Sequence, residues 1–282
     1  MQQTFKNSVE IKGIGLHSGL DAVLKLEPAP ENSGIQFIRS DIKESFPIRA
    51  LYSNVVDTRN CTCLGASPQN IVSTIEHLMA VLYILGVDNA LISVNNPEIP
   101  ILDGSGKTFL EILQREELVK QQAARKYLKV KKEITFTDDK GNSISLSPAD
   151  SLDVSFDIDF PSKIVGHQHF GNKITKDVFA KEIAPARTFC EKYQVDYLKS
   201  LGLIKGGSLE NAVVLDGKTI LNPGGFRVTN ECVNHKVMDT IGDLYTSGYY
   251  ILAKVIANKT GHYHNNEILK RLFADKENYE IL

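Results

Sequence analysis

The chain has 282 residues, 42% of them hydrophobic and 23% charged, with a formal net charge of -2. That balance fits a globular protein with ample core and excludes the strongly basic surface that nucleic acid or an anionic membrane selects. No apolar run approaches the roughly 20 residues that cross a bilayer, and Met1 to Ile11 lacks the apolar stretch of a signal peptide.

The length suits two domains or one large one. Cys61, Cys63, Cys190 and Cys232 include no C-x-x-C pair, and Cys61-Thr62-Cys63 is too tight for ordinary paired ligands. They read as free, mostly buried thiols, which suits a cytoplasmic chain.

The first forty residues read as strands over 4–16, 21–26 and 34–39, separated by Gly, Ser, Pro and Asn turn chemistry. His17 sits in the turn Gly13-Ile14-Gly15-Leu16-His17-Ser18-Gly19, whose glycines allow close backbone approach. A turn histidine is more often structural or solvated than catalytic. Short strands follow over 48–56. Ser73-Thr74-Ile75-Glu76 has the capping-box spacing and opens a helix through Ile75, Leu78, Met79, Leu82 and Leu85 that Gly86 stops. Strand 90–94 comes next, and a Pro/Gly turn leads to a helix expected over 107–121.

Composition shifts at Gln121 to Arg125, and strands resume over 127–137, 143–146 and 152–160, the first two joined by the turn Asp139-Lys140-Gly141-Asn142. His167 and His169 share one strand face and could bind a metal, although exposure is their ordinary reading. After a mixed region, 229–248 reads as a helix with the core stripe Val233, Val237, Ile241 and Leu244. Strand 249–257 and a last helix from about Asn266 to Lys276 close the chain. Both halves run strands, helix, strand, turn, helix. That order predicts an α+β fold of two similar sandwich-like domains, 1–124 and 125–282, with a ligand cleft at their interface.

The chemistry centres on two helices. His235 and Asp239 lie four apart, so they project from one face, with Asp243 a turn further on. Imidazole and carboxylate are good zinc ligands, yet such a face alone is usually just solvated. In the first-half helix, Glu76 and His77 are adjacent and point about 100° apart. They can divide the work, His77 binding a metal and Glu76 taking a proton from the water it activates. A closed capping box explains Glu76 equally well. His262, in Gly261-His262-Tyr263-His264, titrates near neutrality and suits acid–base work. Spacing does not choose between it and His264. No H-E-x-x-H, P-loop, dinucleotide fingerprint or nucleophile elbow is present.

Seven segments together resemble the UDP-3-O-acyl-N-acetylglucosamine deacetylases, zinc enzymes that commit Gram-negative bacteria to lipid A synthesis. They are 13–19, 54–63, 73–78, 97–105, 185–189, 235–244, and Gly261-His262 with Asn265-Asn266, so the likeness covers essentially the whole chain. Cys190 to Val195 departs from the glycine-and-aromatic pattern of the family. The resemblance implies His77, His235 and Asp239 as ligands of Zn2+, with Fe2+ as the alternative. It implies Glu76 as general base and His262, held by Asp243, as the protonated partner that serves the leaving amine. Thr188 would donate to the oxyanion, Lys236 would meet the substrate's phosphate region, and Phe189 would stack near the nucleotide sugar. The fold implied is a pair of β-α-α-β sandwich domains, in agreement with the duplication read from the order of elements. An insert at about 185–215 would form an apolar acyl-chain passage from Tyr193, Val195, Tyr197, Leu198, Leu201, Leu203 and Ile204.

The activity implied is removal of the N-acetyl group of UDP-3-O-(3-hydroxyacyl)-N-acetylglucosamine, releasing acetate, by a cytoplasmic monomer whose partner is that acylated UDP-sugar. The rival readings are a metallohydrolase of another acylated sugar or amide, and a non-catalytic nucleotide-sugar-binding protein. The residues leave the roles of His17, Asp103 and Cys63 open.

Overall fold

A computed structural model describes all 282 residues. In the first half, strands β1 (Val9–Ile14), β2 (Asp21–Pro28), β3 (Ile35–Arg39) and β4 (Ile48–Arg49) precede helix α1 (Glu76–Leu85), strand β5 (Ala90–Val94) and helix α2 (Lys107–Leu113). The strands alternate buried and outward residues, so each covers the helices with one face. The sheet order is β1-β2-β5-β3-β4. β1 with β2, β2 with β5, and β3 with β4 are antiparallel, whereas β3 runs parallel to β5.

The second half repeats this path. Strands β6 (Ile134–Thr137), β7 (Ser143–Pro148), β8 (Leu152–Asp159) and β9 (His167–Lys173) come first. An excursion follows through β10 (Phe189–Glu191), helix α3 (Lys192–Ser200) and β11 (Val213–Asp216). The short strand β12 (Thr219–Ile220), helix α4 (Glu231–Tyr245), strand β13 (Tyr250–Asn258) and helix α5 (His262–Phe273) complete the half. β6, β7, β13, β8 and β9 are neighbours in that order, with the same senses as in the first sheet. A shared path of five strands is the pattern that an internal duplication leaves. Two further strands, Tyr127–Val130 and Tyr279–Ile281, extend the second sheet. No helix is long and apolar enough to cross a membrane.

Helices α1 and α4 lie back to back between the sheets and are buried along almost their whole lengths. Their backbones meet at Gly242, where a Cβ would run into the Glu76 carbonyl and the Ala80 amide. The expected core stripe Val233, Val237, Ile241 and Leu244 is buried there, and one apolar cluster runs from Phe5 to Leu272 across both halves.

Three local expectations are corrected. Ser73 and Thr74 form no capping box: α1 begins at Glu76 with Ile75 as its cap residue and no side-chain cap bond. The Ser73 hydroxyl instead donates to the Pro97 carbonyl, and Thr74, at φ 63°, donates to Glu98. The helix expected over 107–121 stops at Leu113, because Leu118–Lys120 pairs with Gln3–Phe5; that pairing overrides a modest local helix preference. The last helix begins at His262 rather than near Asn266, since Gly261 supplies the extended cap residue and its carbonyl accepts the first helical bond from Asn265.

Candidate active site

Because α1 and α4 touch at a glycine, side chains on either side of the crossing are pressed together away from water. Nε2 of His77 and Nε2 of His235 each lie 3.4 Å from Oδ1 of Asp239. All three residues are buried, at 2–3% exposure. His235 presents this lone pair because its Nδ1 donates to the Ala186 carbonyl at 3.1 Å. Lys236 donates to the other Asp239 oxygen at 2.9 Å. Burial pushes the pKa of His235 down to about 3, so its ring is neutral. Burial also works against the charge on Asp239, yet His235, Lys236 and His77 hold that carboxyl well below its usual range.

The triad fits a divalent cation. Asp239 Oδ1 is buried with no hydrogen-bond partner while two imidazole nitrogens face it. Three converging acceptors out of water carry a large cost that a cation removes. With metal–ligand bonds of about 2.05 Å, the edge of a tetrahedron is about 3.3 Å, close to the two spacings found here. Two imidazoles and one carboxylate is also a donor set that catalytic zinc takes, leaving a position open.

A second cluster adjoins the first. Ligating atoms of Glu76, Asp243 and His262 lie within 4.8 Å of one another. His262 Nδ1 is 2.8 Å from Asp243 Oδ2, an oxygen that also accepts from Asn265 at 2.8 Å. The other Asp243 oxygen accepts from the Thr62 hydroxyl at 2.6 Å, and the Thr62 amide donates to Glu76 at 2.9 Å. Burial disfavours a charged His262, but Asp243, Glu76 and Asp239 outweigh it and raise its pKa to about 9. Burial raises the Glu76 carboxyl as well. One buried carboxylate inclined to accept a proton thus stands beside one buried imidazolium inclined to keep its own, which is the pairing that acid–base catalysis uses.

A cavity of about 480 Å³ opens from His262 and Lys236. Its lining mixes polar groups, among them His17, Asn60 and Thr188, with apolar ones, among them Phe189, Val195, Leu198, Ile204, Leu209 and Leu221. Thr188 is fixed by its backbone, whose amide donates to Gly104 and whose carbonyl accepts from Val213. Gly104 has to be glycine: its φ is 79°, and a Cβ would strike the Asn211 carbonyl. The buried Arg187–Glu231 pair, 2.8 Å apart, ties this segment to the start of α4. Phe189 packs edge-on against Phe160 and His235 at centroid distances of 5.3 and 6.2 Å.

The insert's apolar residues divide. Val195, Leu198 and Ile204 line the cavity, whereas Tyr193, Tyr197 and Leu201 are turned outward at 56–74% exposure. α3 has apolar residues around much of its circumference, and only one side can face inward. His264 lies outside the site, 3.1 Å from Asp138. His17 lines the cavity with both ring nitrogens unpartnered, while its backbone amide is held by Glu98. Asp103 pairs with Arg227 at 2.5 Å and accepts from Ser105. Burial pushes the Cys63 thiol up to about 12, so it stays protonated near neutrality. Thr62 and Asn265, which hold Asp243 and Glu76, carried no role in the sequence reading. The matched segments 54–63 and 261–266 contain them, and that was the available signal.

A profile of the UDP-3-O-acyl N-acetylglycosamine deacetylase family matches residues 2–274. Relatives named UDP-3-O-acyl-N-acetylglucosamine deacetylase include proteins of Shewanella violacea, Nitratiruptor sp. and Sulfurimonas denitrificans. Each is 41% identical to the chain and aligns over 100% of it, covering 92%, 93% and 94% of the relative respectively.

Proposed function

The chain belongs to the UDP-3-O-acyl N-acetylglycosamine deacetylase family, and from that premise we propose that it hydrolyses the N-acetyl group of UDP-3-O-(3-hydroxyacyl)-N-acetylglucosamine. The products are acetate and the free amine, and the reaction is a metal-dependent step of lipid A synthesis. The observation that carries this reading is the adjacency of two buried clusters: a ligand triad at His77, His235 and Asp239, and an acid–base pair at Glu76 and His262. We assign Zn2+ as the metal, since two imidazoles and a carboxylate form a borderline donor set in which Fe2+ binds less tightly.

A divalent cation in the triad would polarise the acetyl carbonyl and ease deprotonation of a water molecule. Glu76 takes the proton of the attacking water, and the Thr62 amide keeps its carboxylate oriented. His262, charged and steadied by Asp243, gives a proton to the departing amine nitrogen. The Thr188 hydroxyl donates to the oxygen that gains charge, the type of contact worth about 10²–10³ in kcat. Lys236 supplies positive charge toward the phosphate end of the substrate, and Phe189 offers a ring face beside the sugar. Val195, Leu198 and Ile204 give the acyl chain an apolar wall. In this reading, residues 1–124 and 125–282 are two domains that each lend one helix to the site, and the enzyme works as a cytoplasmic monomer.

Comparing substrates with and without the 3-O-acyl chain tests the substrate assignment. The acylated compound is expected to have the higher kcat/KM by at least about a hundredfold, since burying several methylenes at about 0.8 kcal/mol each allows it. Equal rates for the two would point to a hydrolase of another acylated sugar or amide.

A further inference from the structure

We propose that the outer face of the β8–β9 hairpin is a second cation site, in which His167, His169 and Asp157 bind a divalent transition metal such as Zn2+ or Ni2+. It has no part in the deacetylation described above.

One residue separates His167 from His169, so both side chains leave the same face of β9. In the hairpin register Asp157 lies opposite His169, and Asp159 opposite His167. Directly opposed side chains start about 5 Å apart and diagonal ones about 7–8 Å, within reach of imidazole and carboxylate. A single oxygen, Oδ1 of Asp157, lies 2.9 Å from His167 Nε2 and 3.1 Å from His169 Nδ1. Two imidazoles have therefore converged on one carboxylate oxygen. The side chains are exposed, at 65%, 50% and 35% for His167, His169 and Asp157, so a cation can reach them; the donors stand wider apart here than in the two buried clusters, and the exposed imidazoles have to rotate to close on it.

Two neighbours support this arrangement. Gly171 continues the same face, and a Cβ there would stand 2.7 Å from His169 Nε2, so a side chain at this position would make the imidazole shift. Lys259 bonds Asp159 at 2.8 Å, which matches that cation with the other carboxylate and leaves Asp157 to the histidines. Two imidazoles with a carboxylate suit zinc, nickel and copper, and discriminate against the oxygen-seeking Mg2+ and Ca2+. The site also has a mechanical consequence. β9 pairs with β8 alone, and its inward-facing Gln168 accepts from the Val233 amide near the start of α4. A metal joining the two strands would staple this edge.

Zinc titration of the metal-free full chain, with bound metal measured after equilibrium dialysis, tests the proposal. The parent is expected to take up two equivalents, the weaker of them absent from a His167→Ala/His169→Ala double variant that still binds the first and keeps its deacetylase activity. Gly171→Ala keeps every ligand but displaces the His169 ring, and should weaken the second equivalent by about tenfold or more. Asp239→Ala should lose the tight equivalent and retain the weak one. A parent that saturates at one equivalent, or a double variant that binds both as the parent does, overturns the proposal.

Discussion

Glu76 and His262 gain their proposed roles from neighbours rather than from their own chemistry. Without the capping box, the Glu76 side chain is free of the helix start and instead accepts from Thr62 beside His262 and Asp243. Glu76→Gln preserves shape and removes the base. Metal content should therefore stay at the parental level while kcat falls by about 10²–10⁴. A variant that lost metal in proportion to activity would show that Glu76 serves the triad. His262 gives the pH dependence. Its pKa stands raised from 6.5 to about 9, so the charged form persists through neutrality and disappears as pH rises through about 9. Activity should fall along that basic limb. Asp243→Asn removes one of the carboxylates that raise the pKa, so the limb should move toward lower pH. A limb that stays in place in that variant would contradict the assignment of His262 as the acid. His235 and Asp239 were legible as a candidate pair because i, i+4 spacing brings an imidazole and a carboxylate onto one face. Glu76 and His77 were legible only through the repeated order of elements, which directs attention to the first-half helix, since adjacent helical residues carry no such spacing signal.

Helices α1 and α4 were legible from their apolar stripes, but their crossing point was not. Gly242 looks like an ordinary weak spot in a helix until the partner backbone is seen against it. Gly242→Ala has to push the helices apart, at a cost of about 1–3 kcal/mol or more for the overpacking. A lower Tm should accompany loss of bound metal, because the backbone that Gly242 presses on is the Glu76 carbonyl, directly before His77. An unchanged melt and full metal content would mean that the crossing is less rigid than the packing indicates. Helix ends were misread where distant partners decided them. Leu118–Lys120 joins the N-terminal strand, and His262 enters α5 because Asp243 and the Gly261 cap hold it there. α3 and the residue after it show the limit of apolar counting: Leu201 is as apolar as Val195 and Leu198, Tyr193 and Tyr197 add large rings, and only the tertiary placement separates the cavity wall from the solvent side.

Across the whole molecule, the repeated order of elements was legible in the chain, whereas the common strand path was not. That path depends on pairings such as β2 with β5 and β7 with β13, which no local pattern encodes. The same long range hides the support of the site: Thr62 and Asp243 are 181 positions apart and meet at 2.6 Å. Two sheets of one design thus bring one helix each to a shared seam, where the His77–His235–Asp239 cluster and the Glu76–Asp243–His262 cluster meet. The most direct measurement is acetate release from UDP-3-O-(3-hydroxyacyl)-N-acetylglucosamine by the purified chain, followed through removal of metal with a chelator and its return. Release that stops on chelation, resumes with Zn2+, and stays absent in Asp239→Ala is the result predicted. Release that persists in the fully metal-free protein, or that never occurs in the zinc-loaded one, would contradict it.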